Sequence, residues 1–206
     1  MDGLPFTRNR TSPPREEAIR SLVRSARTLP SSGASNRVAG LEDAPALFEF
    51  LEHPDVNQWI YSLPRPLTFK SVEEFILSCE AGKARGEAHL SLNFDEAGRL
   101  SGYTELHVWP KWAAGEVAGA MRPDLQNKGQ GGAGMAALFS WMFDELDLDL
   151  ICNTTALNNV RIQALFQKTG FTHVGNVESP RPDGSFRPSQ VWEITRDAWF
   201  ERLGTY

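Results

Sequence analysis

The order of elements in this chain predicts an α+β fold: a mixed, mostly antiparallel sheet of about six to seven strands, flanked by helices, behind an N-terminal helical extension. Three observations predict it. One strand signal and two helical signals precede three consecutive strand signals. Ala88, Leu90, Leu92 and Phe94 alternate with His89, Ser91 and Asn93, the period of a strand. Residues 116–143 then read as strand, glycine-dense loop and apolar helix.

Composition sets the class. The 206 residues suit a domain with a sizeable core, with residues 1–34 as arm and helix and 35–206 as the domain proper. Hydrophobic content of 41% and charge of 23% are ordinary for a globular protein, which argues against a disordered or fibrous chain. No apolar run approaches the ~20 residues of a membrane span, and no apolar leader opens the sequence, so neither membrane nor secretion is expected. Cys79 and Cys152 stand in no metal spacing and are expected as reduced, buried thiols of a cytoplasmic protein. His53, His89, His107 and His173 are scattered, so no metal is expected. The net charge of −5 divides unevenly: residues 1–37 carry +4 and the rest −9. An acidic domain is a poor nucleic-acid binder and suits a cationic substrate such as an amine.

The elements follow in order. Residues 1–13 form a polar arm. Pro14 to Leu29 can form an amphipathic helix with Ile19, Leu22, Val23 and Ala26 on one face, packed on the domain or forming a homodimer contact. Ser35 to Val38 is a short strand. Glu42 to His53 is a helix stopped by Pro54. The aromatic, proline-rich loop after it holds Trp59 and Tyr61. Ser71-Val72-Glu73-Glu74 reads as a capping box, opening a helix that ends near Gly82. Asp95-Glu96-Ala97-Gly98 turns the first long strand into Leu100–Trp109, and Gly115–Met121 follows. Helices over Met135–Leu146 and Asn159–Thr169, strands over Leu148–Thr154, Phe171–Val177 and Ser189–Thr195, and a last helix over Arg196–Leu203 complete the chain.

The loop Gln126-Asn127-Lys128-Gly129-Gln130-Gly131-Gly132-Ala133-Gly134 is an anion-binding device, because the first amides of the following helix lack intrahelical partners. It is no Walker A. It matches G-x-G-x-x-G literally, through Gly129, Gly131 and Gly134, but lacks the acidic residue on a second parallel strand that a dinucleotide site requires. The other spacing in it is Q-x-x-G-x-G, from Gln126 through Gly129 to Gly131.

That spacing resembles the pyrophosphate loop of the GCN5-related N-acetyltransferases (GNAT). The segment Asn159 to Phe171, with its Lys168-Thr169-Gly170-Phe171 close, resembles the family's second cofactor segment. Arg37 with Asp43-Ala44, and Asp183-Gly184-Ser185 before Val191-Trp192-Glu193-Ile194, resemble its opening and its closing hairpin. The likeness spans roughly 37–199 and is nearest to the branch of the ribosomal-protein N-terminal acetyltransferases RimJ and RimL.

The resemblance implies a GNAT fold and acetyl-CoA as cosubstrate. It implies pantetheine along Ala120, Met121 and Arg122, and pyrophosphate on Gln126, Asn127, Lys128, Gly129, Gln130, Gly131, Gly132 and Ala133. Asn159, Phe166 and Lys168 would complete the cofactor site. It also implies an acceptor pocket near Trp59 and Tyr61 and a general base at Glu116, acting through water, with Glu105 and then His107 in reserve. The expected partner is a small-molecule or peptide amine, a peptide or protein N-terminus above all. Three departures stand out: Phe166 where several branches carry a tyrosine acid, Ile162 where relatives often carry serine, and the Gly132-Ala133-Gly134 run. The first two make a non-catalytic acyl-CoA-binding sensor or partner module the alternative to catalysis.

Overall fold

The computed structural model describes residues 3–31, 33–57, 60, 62–63, 65–126 and 130–204. Seven strands form one sheet: β1 (Ser35–Val38), β2 (Ala88–Phe94), β3 (Leu100–Trp109), β4 (Ala114–Met121), β5 (Leu150–Ala156), β6 (Thr172–Pro180) and β7 (Phe186–Thr195). Their order is β1-β2-β3-β4-β5-β7-β6. Every neighbour pair is antiparallel except β4–β5.

Helices cover both faces. On one face α2 (Ala44–Glu52) and α4 (Phe69–Arg85) bury Leu47, Leu51, Val72 and Ile76 against Leu90, Leu92 and Tyr103, with α3 (Pro54–Asn57) at their edge. On the other, α1 (Pro13–Ser25), α5 (Gln130–Asp144), α6 (Val160–Lys168) and α7 (Arg196–Leu203) pack Ile19, Phe139, Phe166 and Trp199 onto Leu106, Val108, Ile151 and Ile194. The N-terminal arm closes a third cluster: Leu4 sits on Ala114, Leu150, Cys152 and Val191. There the buried carboxylate of Glu193 accepts the amides of Phe6 at 2.7 Å and Thr7 at 3.1 Å. Among the described residues no helix is long and apolar enough to cross a membrane, and no group of three metal-ligating side chains occurs.

The mixed sheet and N-terminal helix agree with the sequence reading, and Leu100–Trp109 and Arg196–Leu203 have the expected bounds. Four local expectations are corrected. The helix expected from Ser71 begins at Phe69, because Thr68 caps it: the Ser71 amide donates to Thr68 Oγ1 at 3.1 Å and the Thr68 amide to Ser71 Oγ at 2.8 Å. It passes Gly82 and stops at Gly86, whose φ of 72° is the left-handed cap glycine favours. The helix expected from Met135 begins at Gln130, so much of the glycine run lies in its first turns. Leu22, expected on the inner face of the first helix, is 39% exposed, while Ile19 and Val23 are buried.

The opening Arg37 and Asp43 form a two-pronged ion pair, with N–O distances of 2.5 and 2.6 Å, that fastens β1 to the start of α2. Lys83 of α4 donates to the carbonyls of Val23, at 3.0 Å, and Ala26, placing a cation at the C-terminal end of α1.

Gly86→Ala tests the coupling of α4 to α1. A Cβ there would meet the backbone oxygen of Arg20 at 2.5 Å on a left-handed backbone. The substitution should cost about 1–3 kcal/mol of unfolding free energy, read from the urea midpoint at unchanged slope.

Candidate functional site

The site begins where two strands separate. β4 and β5 pair through Ala114↔Leu150 and Gly115↔Ile151, and no further. Beyond that point side chains bridge them. The Val117 amide donates to Asn153 Oδ1 at 3.1 Å, and the amide and hydroxyl of Thr154 donate to Glu116 Oε1 at 3.1 and 2.8 Å. In a strand alternate amides point the same way. The amides of Gly119 and Met121 therefore face the gap, as that of Val117 does. The Met121 carbonyl, on the same side, accepts from Gln126 Nε2 at 2.9 Å. The connection after β4 leads to α5, whose glycines leave backbone uncovered: a Cβ on Gly132 would meet nothing within 4 Å.

A cleft of about 320 Å³ lies on the α2–α4 face of the same strands. Glu105, His107, Glu116 and Ala118 form its floor, Ser62 one wall, and Pro180, Arg181 and Pro182 the other. The register His107↔Glu116 and Glu105↔Ala118 makes the two glutamates diagonal neighbours on one face. Glu116 is only 5% exposed and is oriented by Thr154. Glu105 accepts from Ser62 Oγ at 2.8 Å. Burial, with help from the charge of Glu116, outweighs that bond and pushes the Glu105 carboxyl up to about 7. Burial takes His107 the other way, down to about 4, so its ring, set edge-on to Trp109, is neutral at pH 7.

Several residues named from the sequence meet here and others do not. Glu116, Glu105 and His107 converge in the cleft. Gln126, Met121 and Gly132 stand along the gap and the start of α5. Ala133 is exposed in that helix. Ala120 packs toward the α2–α4 core. The Arg122 side chain is taken up by Asp124 at 2.6 Å and Asp95 at 3.1 Å, and its amide donates to the Ser101 carbonyl at 2.8 Å. Asn159 caps α6 by accepting the Ile162 amide at 3.4 Å, and Lys168 is exposed on that helix's last turn.

Phe166 is 3% exposed and packs on Phe171 and Trp192. Trp59, Tyr61, Asn127, Lys128 and Gly129 lie outside the described residues. Gln130 and Gly131 are described only as helical backbone. Sequence reasoning missed Ser62 and the Pro180-Arg181-Pro182 wall. The available signal was an Arg-Pro dipeptide occurring four times, at 65–66, 122–123, 181–182 and 187–188.

The donor set fits acetyl-CoA. Strand amides facing a gap can receive an extended amide-bearing chain, and an uncovered glycine-rich helix start can receive its pyrophosphate.

Glu105→Gln gives a test of its raised pKa. The folded protein holds this proton up to about pH 7, whereas an unfolded glutamate releases it near ~4.3. The stability that Glu105 contributes is therefore present below the lower value and lost as pH rises through the upper one. Glu105→Gln should raise Tm at pH 8 more than at pH 5; equal shifts at both would show that Glu105 titrates normally.

The acetyltransferase (GNAT) domain model matches residues 37–172. No curated protein matches the chain by sequence. Among solved structures it is similar to Mycobacterium smegmatis RimJ in complex with CoA-disulfide, with a TM-score of 0.68 at 15% identity over 87% of this chain and 92% of that one. RimL, a ribosomal L7/L12 alpha-N-protein acetyltransferase in complex with coenzyme A, gives 0.67 at 17% identity over 82% and 99%. A spermidine N-acetyltransferase, SpeG of Vibrio cholerae, gives 0.64 at 20% identity over 82% and 99%. At these identities the likenesses bear on the fold.

Proposed function

The chain belongs to the GNAT acetyltransferase family, and we propose that it acetylates a primary amine seated in the cleft above Glu105 and Glu116, a peptide or protein N-terminus in preference to other small amines. It is an acyl-CoA-dependent N-acetyltransferase with acetyl-CoA as cosubstrate. The observation that carries the acceptor reading is the pair of carboxylates meeting in one cleft, on strands whose gap-facing amides lie at the edge of the same site.

Acetyl-CoA supplies an activated acetyl group when bound; the rest falls to this chain's residues. The amides of Gly119 and Met121 hold the pantetheine and orient the thioester carbonyl. Gln126 and the start of α5, with the segment 127–129 leading into it, hold the pyrophosphate. Asn159 and Lys168 at the two ends of α6 border the cofactor. Thr154 fixes Glu116, which faces the incoming ammonium directly or through one water. The proton goes to Glu116, with Glu105, whose carboxyl burial pushes up to about 7, in reserve beside it. A free α-amine titrates near ~7.7–8.0, so part of it is already neutral at pH 7 and the base need not be strong. His107, neutral, offers a hydrogen bond without adding positive charge. Phe166 donates no proton, and a thiol of pKa about 8.5 leaves without one.

The liganded relatives RimJ and RimL support the cofactor assignment. RimL, by its name an α-N-protein acetyltransferase, supports the preference for an N-terminus, and SpeG keeps small amines within the wider class. A cytoplasmic location belongs to the same reading and is supported by two buried, unpaired cysteines.

Release of CoA thiol from acetyl-CoA in the presence of peptide amines tests the reading. For the unmodified protein kcat/KM should fall as pH drops below about 7, where Glu105 takes up its proton. Glu116→Gln should lower kcat by roughly 10²–10⁴-fold, with CoA still raising Tm as before. Unchanged kcat removes Glu116 from the chemistry; CoA binding without turnover of any amine would favour the sensor reading.

A further inference from the structure

The cleft is polarised from floor to rim. Glu105 and Glu116, on the strands, make one part of its lining acidic, while Arg181, on the β6–β7 turn, lines it too and donates to Ser185 Oγ at 3.4 Å. The turn that carries Arg181 is tightly built. Pro180 and Pro182 bracket it and fix their own φ angles. The Arg181 amide donates to the Ser185 carbonyl at 2.7 Å, and the Gly184 amide returns to the Arg181 carbonyl at 3.0 Å. Gly184 takes a φ of 81°, the left-handed conformation this turn requires.

The Asp183 carboxylate is committed to the turn itself. Asp183 Oδ1 accepts the Ser185 amide at 2.8 Å. The Ser185 bonds first, and then the fields of Arg181 and Arg65, hold that carboxyl below its usual range. Arg65 thus acts at the same rim from the segment that begins at Ser62. Arg187, 8% exposed at the start of β7, lies on the sheet face of Thr154 and Glu116, through the register Thr154↔Val191 and Ala156↔Ser189. At this rim Arg181 and Arg65, whose guanidinium also donates to the Asn57 carbonyl at 2.9 Å, outnumber Asp183.

We infer that this polarity selects the acceptor: the cleft takes an amine whose neighbouring residues carry carboxylate, an N-terminus with Asp or Glu at its second or third position, and Arg181 is the specificity-determining residue. The inference rests on the acetyl-transfer reading above. In such a peptide the ammonium meets the glutamates and the side-chain carboxylate meets the rim arginines. A polyamine or a lysine-rich N-terminus places its second cation against Arg181, a like-charge contact within the ~8 Å screening length of physiological salt.

The test is CoA-thiol release with three peptides of equal length and identical N-terminal alanine, continuing with glutamate, glutamine or lysine pairs, and with spermidine and free glutamate beside them. The acidic peptide should give the highest kcat/KM and the lysine peptide and spermidine the lowest, with the spread shrinking as salt is raised. Arg181→Ala should cut the advantage of the acidic peptide over the neutral one by roughly fivefold, the worth of one solvent-facing ion pair. Arg181→Glu should invert the ranking, and Arg181→Lys should preserve it; both remain informative if the alanine variant does not fold. Free glutamate outperforming the acidic peptide would overturn the peptide assignment. Equal turnover of all three peptides, or a ranking untouched by Arg181→Ala and Arg181→Glu, would overturn the inference while leaving the acetyltransferase reading in place. Turnover of no acceptor at all would defeat that reading and this inference with it.

Discussion

The site depends on one failure of pairing. β4 and β5 run parallel and hold each other through two residue pairs only. A sheet that parts in the middle leaves backbone donors and acceptors facing space, a costly arrangement unless something else satisfies them. Near the fork this chain supplies side chains: Asn153 takes the Val117 amide, and Glu116 takes the amide and hydroxyl of Thr154. Farther along, Gln126 reaches the Met121 carbonyl. The bonds that brace the fork also aim Glu116, so the scaffold and the proposed chemistry share atoms.

The floor of the cleft shows burial working in opposite directions on neighbouring groups. It raises Glu105 toward neutrality and drives His107 to its uncharged form. The result is a surface that can change its charge by a proton near pH 7 without any group having to leave its place. Ser62, from the loop ahead of α4, holds Glu105 Oε2, which ties the titrating carboxyl to a segment far from it in sequence.

The sequence disclosed elements with clear punctuation. Gly98 before Leu100 and Pro110 after Trp109 delimit β3 on both sides, and the Leu90–Phe94 alternation marks β2. It disclosed Glu116, with Glu105 and His107 in reserve, through the family resemblance, and the β3–β4 register brings the three onto one face. It hid what depends on partners remote along the chain. Thr68 is a cap only because Ser71 returns the bond with a hydroxyl rather than the carboxylate expected of that motif. Phe166 is a core residue because Phe171 and Trp192 meet it there, and no local pattern announces Trp192. Pro180 to Pro182 carry no local signal of a site; the β6–β7 hairpin brings them to the same cleft as Glu105.

The arm at the start of the chain has a temporal consequence. The amides of Phe6 and Thr7 find their partner on β7, in Glu193, 187 residues beyond Phe6, and Leu4 sits across β4, β5 and β7. Closing a contact across that separation is slow relative to local folding. The arm is thus a latch on the sheet face beneath it, fastened only once β7 is in place.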